Sequence, residues 1–335
     1  MGRRGVLLAG LLLLAACGAG DAGAPFVDSR PPPALSQADW PPIGWAWGLI
    51  QTDANAPPQR YGVAAAATMP RAQVLVLPGY GDFAETHFRQ LKAFVGQFYV
   101  SWALDGAGQG GSGRSAGPRD LGHVDSFDPD VSAIPALIQG AIRPAPGAPL
   151  VLIAEGTAAP VALRALQRDP AGISGVILVR PIFRYPATID QNASDWAARL
   201  RLGFVRAPGG FGWTHDAKAI DTSTDRGRRQ AWQAANPDLR MGDPSLGWLA
   251  AFADLVSQEK AAGWRQVSTP VLILSDHGTA NADAAPICRA LPHCLLEPVG
   301  TNPVAREIAF AETFVPKDAP VPHPLSTLPN DDPQR

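Results

Sequence analysis

The chain has 335 residues, with 28 Lys and Arg against 30 Asp and Glu and a formal net charge of −2. That balance excludes a strongly basic nucleic-acid binder, and 46% hydrophobic against 17% charged residues excludes a disordered chain. Gly and Pro, 34 of each, stay below the share that marks low-complexity sequence, so the length suits one large α/β domain or two smaller ones.

In chain order, the first element is an address. Residues 1–16 carry Arg3 and Arg4 and then an apolar run that matches a signal-peptide core and is too short to span a bilayer. The run ends Leu14-Ala15-Ala16-Cys17-Gly18, which resembles the bacterial lipobox. That resemblance implies cleavage before Cys17 and its lipidation. The chain would then be a lipoprotein of the bacterial cell envelope, its partner a membrane on the periplasmic or outer side. An ordinary secretory peptide with a chance Cys is the alternative. Residues 17–39, with Pro31-Pro32-Pro33 and no periodicity, read as a flexible tether.

Next come short apolar runs separated by amphipathic stretches. The runs are 73–77 (QVLVL), 98–104 (FYVSWAL), 150–154 (LVLIA), 175–179 (GVILV), 271–274 (VLIL) and a sixth from Cys294. Helical stretches fall at 86–95, 131–142, 159–168 and 282–291. Continuous apolar strands spaced by helices predict an open, mostly parallel, doubly wound α/β sheet covered on both faces. In such sheets function sits in loops beyond the C-terminal strand ends. Residues 182–263 break the rhythm and carry Trp196, Trp213, Trp232 and Trp248. They read as a helical lid inserted into a domain spanning 40–314, followed by a Pro-rich tail at 315–335.

Cys288 and Cys294, six apart in an exported chain, are the pair available for a disulfide. Two small buried apolar side chains are the alternative. No set of residues shows metal-ligand spacing. Neither a metal nor a cofactor is expected.

Several segments together resemble one family. Gly79-Tyr80-Gly81-Asp82-Phe83 followed by Glu85-Thr86-His87-Phe88 is similar to an oxyanion-loop segment. Asp105 with GQGGSGR at 108–114, then Pro118-Arg119 and 122–127 (GHVDSF), is the closest match. Asn236-Pro237-Asp238-Leu239 with Gly247-Trp248-Leu249 resembles the end of a lid. The chain is thereby similar, over about residues 44–312, to α/β-hydrolases of the lysophospholipase and monoacylglycerol-lipase (serine aminopeptidase-like) branch.

That resemblance implies a Ser-Asp-His triad, and the sequence departs from it at all three positions. An active elbow reads Gly-x-Ser-x-Gly. Here it reads Ala154-Glu155-Gly156-Thr157-Ala158, with Gly156 at the nucleophile position. Thr279 stands in register with the acid, and nearby Asp283 reads as a helix-start residue. Pro303 stands in register with the base, and no His lies between 294 and 322. Gly113-Arg114-Ser115-Ala116-Gly117 fits the elbow pattern letter for letter, but Pro118 follows instead of a helix, so Ser115 reads as part of a Gly-rich loop. His123 reads as a loop-fixing residue.

Replacement acid–base chemistry would draw on Glu155 at the elbow and on Asp276 and His277 past a strand end. Backbone N–H groups at Tyr80 and Thr157 occupy the family's oxyanion-hole positions. Three functions stay open. The first is a lipid-anchored binding protein, for a lipid or acyl ligand or an envelope partner, that has lost serine-hydrolase activity. The second is a carboxylic-ester hydrolase using non-standard residues, and the third a structural envelope lipoprotein.

Overall fold

Apolar, β-branched runs become strands where helices bury both of their faces. The computed structural model places β3 (Ala72–Leu77), β5 (Leu150–Glu155), β6 (Gly175–Val179) and β7 (Val271–Leu274) that way, almost without exposed residues. They join β4 (Tyr99–Leu104), β8 (Cys294–Glu297) and two N-terminal strands, β1 (Ala46–Ile50) and β2 (Gln59–Ala64), in an eight-stranded sheet. The model describes residues 23–65, 70–115, 117–170, 172–185, 202–214, 221–276, 283–317 and 319. Residues 1–16, Cys17, His277, Thr279 and nearly all of 315–335 lie outside them.

The strand order is β1-β2-β4-β3-β5-β6-β7-β8. β2 runs antiparallel to both β1 and β4, and every other pairing is parallel. Chain direction across the sheet reverses between β4 and β5, so β3 and β5 flank the switch point where α/β sheets place their sites. Their C-terminal ends carry Pro78-Gly79-Tyr80 and Glu155-Gly156.

Side chains alternate between two cores. Val74, Val76, Val151, Ile153 and Leu272 pack with Phe88, Leu91 and Phe94 of α1 (Phe88–Gly96) and Phe310 of α7 (Pro303–Glu312). Leu75, Leu152 and Ile273 pack against α2 (Asp128–Leu137), α3 (Ala158–Arg168) and the inserted segment. Between β6 and β7 the described residues form α4 (Asp225–Ala235) and α5 (Leu246–Ala262). Each starts at a hydroxyl cap: Thr224 accepts from Gly227 N–H, and Ser245 from Trp248 N–H.

Two Trp side chains of this insertion are buried in packing. Trp232 packs edge-on against Phe88, and Trp248 stacks on Phe252 at 5.1 Å between ring centres. Both are fully buried. Trp232 on Phe88, and Trp248 edge-on against Tyr80 and Phe127, anchor the insertion to the body, while Trp213 borders a cavity. Cys288 and Cys294 are bonded to each other, tying α6 (Ala284–Ala290) to β8. Among the described residues no helix is long and apolar enough to cross a membrane.

Candidate functional site

The turn from β5 into α3, the segment that the resemblance reads as the elbow, is a strand–turn–helix junction with Gly156 at its tip. Gly156 holds φ +52°, its N–H donating to Val179 O at 3.0 Å and its carbonyl accepting from Ile182 N–H at 2.9 Å. A Cβ placed there would come no nearer than 3.7 Å to Ile182 Cδ1, so the space for a side chain is kept. The positive φ strains any other residue and costs glycine nothing.

Thr157, one residue later, faces inward. Its buried hydroxyl accepts the Tyr80 N–H at 2.7 Å. It lines a small void of about 20 Å³, room for about one water, beside Leu77, Gln109 and Asp130. Two consequences follow. Thr157 is not displayed as a nucleophile, and the Tyr80 N–H, expected as an oxyanion donor, is already engaged. The close seating of the 78–80 loop causes this: a Cβ on Gly79 would stand 2.8 Å from Glu155 O.

Pro303 is the first residue of α7, where a missing N–H costs nothing, and Asn302 caps the helix by accepting from Ala305 N–H at 3.2 Å. Its ring exchanges no proton. Asp283 immediately precedes α6, and its carbonyl accepts from Ile287 N–H. Thr279 and His277 lie outside the described residues. Asp276, expected to serve with Glu155, is instead ion-paired with Arg180 at 2.7 Å in a half-exposed position. Ser115 sits in an exposed loop, its hydroxyl 3.4 Å from His123 O. His123 Nδ1 meets Ser245 Oγ at 2.9 Å and ties that loop to the start of α5.

The partner of Glu155 is His87, which the sequence reading placed only in the oxyanion segment. His87 Nδ1 lies 3.5 Å from Glu155 Oε1, and Nε2 lies 3.7 Å from Asp82 Oδ2. Nδ1 also meets Gln90 Oε1 at 3.0 Å, and Gln90 Nε2 donates to Glu307 Oε2 at 2.8 Å. Burial lowers the affinity of His87 for a proton, but the Glu155 and Asp82 carboxylates outweigh it and hold its pKa above the ordinary value. Burial also raises Glu155, against the pull of His87, and pushes Glu307 up to about 7. The residues 82, 87 and 155 are far apart in sequence, so no spacing rule links them.

This cluster lines a cavity of about 600 Å³ bordered by Arg180, Arg228, Arg229, Thr301 and Pro303. Glu155 at the end of β5 and Pro303 at the start of α7 thus border one charged chamber. A second cavity of about 460 Å³ carries Tyr80, Tyr185, Phe211 and Trp213 with Arg226 and Arg229. Arg229 borders both.

The segment that matches the family best builds the frame. Arg60, with no exposed surface, donates from Nε and Nη2 to Asp105 Oδ2 at 2.9 and 2.6 Å. It donates from Nη1 and Nη2 to Glu85 at 2.8 and 2.7 Å. Ala84 and Gly111 N–H groups complete the shell of Asp105, each at 2.8 Å. These residues fix the loop that carries Asp82 and His87.

Comparison with known proteins agrees with this frame. Residues 68–286, well over half of the chain, match the family model described as serine aminopeptidase, S33. The chain belongs to this family of α/β-hydrolases. Among curated relatives, lysophospholipase L2 of Escherichia coli K12 is 29% identical over 182 residues, 51% of this chain and 53% of that protein. The chain thus spans about half the length of the curated relatives it matches. Monoglyceride lipase of Saccharomyces cerevisiae superposes with a TM-score of 0.62 at 18% identity, covering 86% of this S33 chain and all of that one. A carboxyl esterase from Bacillus coagulans gives 0.59 at 14% identity, covering 81% and 99%. At such identities these structures speak for the fold alone.

Proposed function

We propose that this S33 member is a lipid-anchored binding protein that has lost serine-hydrolase chemistry. The observation that carries the reading is the elbow: Gly156 offers no nucleophile, and Thr157 Oγ1 occupies the Tyr80 N–H that would stabilise an oxyanion. Pro303 at the base position adds a second loss on a separate element. Triad members act as a unit, so each loss alone removes most of the rate.

The ligand class follows from the second cavity. Aromatic walls beside Arg226 and Arg229 suit an amphiphile with an anionic or phosphate-bearing head, such as a fatty acid or lysophospholipid. Lysophospholipase L2 is similar to this chain, and its name fits the same ligand class. Incubation with lysophosphatidylcholine, followed by repurification and mass spectrometry, is the test. Intact lipid travelling with the protein and no freed fatty acid is expected; release of fatty acid in proportion to protein overturns the reading.

Anchoring through Cys17 is part of the same proposal. Cys17→Ser in the bacterial host abolishes incorporation of labelled palmitate and moves the protein to the soluble envelope fraction. Unchanged membrane retention and labelling of that variant count against it.

A second reading, ester hydrolysis by non-standard residues, is favoured by one contact, Glu155 beside His87 at 3.5 Å. Under it, purified protein turns over p-nitrophenyl butyrate, and Glu155→Gln abolishes that activity. No turnover above buffer removes this reading.

A further inference from the structure

We propose that Asp82, His87 and Glu155 bind a divalent transition-metal cation, zinc being the best fit, in the charged chamber that they line. The inference does not depend on which ligand the protein carries. One ligand atom from each of the three residues lies within 4.8 Å of the other two. Ligands on a tetrahedral zinc stand about 3.3–3.6 Å apart. His87 Nε2 and Asp82 Oδ2, 3.7 Å apart, are just above that spacing. Glu155 Oε1 lies 3.5 Å from the other ring nitrogen, Nδ1, and its side chain, 27% exposed, has to swing toward Nε2 to complete the set.

The histidine is prepared for a metal. Gln90 Nε2 donates to Glu307 Oε2, which turns the amide oxygen of Gln90 toward His87 Nδ1. An amide oxygen only accepts, so in the neutral ring Nδ1 carries the hydrogen and Nε2 the lone pair, and a metal at Nε2 takes the place of the proton that the carboxylates favour. Nε2 is buried and has no hydrogen-bond partner. The side chain is only 7% exposed, too little for bulk water to supply one. A ring held through its other nitrogen, with the free nitrogen aimed at a carboxylate, is the usual arrangement of a metal-binding histidine.

The carboxylate is prepared as well. Asp82 Oδ1 accepts from Phe83 N–H at 3.1 Å and from the Thr86 hydroxyl, which leaves Oδ2 turned toward His87. In an imidazolium without a metal, the Nε2–H would point at an oxygen 3.7 Å away, beyond hydrogen-bond reach. One imidazole with two carboxylates suits zinc and its first-row neighbours better than calcium or magnesium, which take oxygen donors. The adjoining chamber of about 600 Å³ leaves coordination positions open to water or to a bound anion.

The test uses the untagged full chain, stripped with chelator and titrated with Zn²⁺ against a chromophoric competitor, and with Co²⁺ followed by its visible d–d bands. One equivalent of each metal is expected, with intense cobalt bands of a tetrahedral or five-coordinate nitrogen–oxygen site. Asp82→Asn and Glu155→Gln keep size and shape, and each weakens binding by roughly 10-fold or more. Gln90→Leu, which frees the ring, weakens it by roughly 10–100-fold. His87→Gln abolishes the cobalt spectrum, with circular dichroism checking that the variant is folded. The proposal is overturned if the wild type takes up no stoichiometric metal. It is equally overturned if Asp82→Asn and Glu155→Gln bind as the wild type does, since the metal then sits elsewhere.

Discussion

Arg60 meets two carboxylates and the Phe26 carbonyl without any exposed surface, under the ring of Trp47. Removing one partner of such a buried set leaves charge unpaired and costs about 3–5 kcal/mol. Arg60→Ala should lower the urea midpoint accordingly; a loss below about 1 kcal/mol contradicts the role given to it. Gly156→Ser should cost less, about 1–2 kcal/mol of backbone strain in an otherwise open position. It should restore no esterase activity, because Pro303 supplies no base. At this scale the sequence announces losses better than gains. Gly156 and Pro303 are legible because a motif has fixed neighbours. The Asp82–His87–Glu155 meeting is not, because it joins a loop, a helix start and a strand end across the sheet. Asp276 looked available beside His277 only because sequence does not show Arg180 across the strand ends. The GQGGSGR segment was legible as a family mark, and the structure gives it a job: Gly111 N–H and Ser112 Oγ lie within the Arg60–Asp105 frame.

Among the elements, the interior strands are legible because burial on both faces demands uninterrupted apolar residues. β1 and β2 were missed for the complementary reason. They sit at the sheet's antiparallel edge, where one face stays partly wet, and polar residues such as Gln59 and Arg60 interrupt the pattern. α7 carries an explicit start signal, Asn302-Pro303, which was read only for the histidine it lacks. α2 begins at Asp128, ahead of the expected 131, with Pro129 tolerated in its first turn. The inserted helix α5 depends on Ser245, whose hydroxyl accepts from Trp248 N–H at 3.1 Å and meets His123 Nδ1 at 2.9 Å. Ser245→Ala removes both contacts and should cost about 1–2 kcal/mol by urea denaturation. A neutral result would separate α5 from the loop that carries His123.

For the whole molecule, the cores on the two sheet faces hold several carboxyl groups that burial has made weak acids. Asp130 is pushed up to about 7, Glu259 well above the ordinary range, and Glu307 up to about 7. Their folded pKa values exceed the unfolded values near 4, so the folded state holds these protons more tightly. Stability from them is complete below about pH 4 and is lost as pH rises toward 7. Asp130→Asn keeps the acceptor for Ala107 N–H and removes one such group. Its melting temperature should fall less than that of the wild type between pH 5 and pH 7.5; parallel curves contradict the assignment. The sheet, the insertion and the cores together form an α/β-hydrolase frame beside a charged chamber bordered by Glu155 and Pro303. The most direct measurement is intact mass after a fluorophosphonate probe at saturating concentration. This account predicts an unmodified protein, while a single adduct mapped to one serine would contradict it.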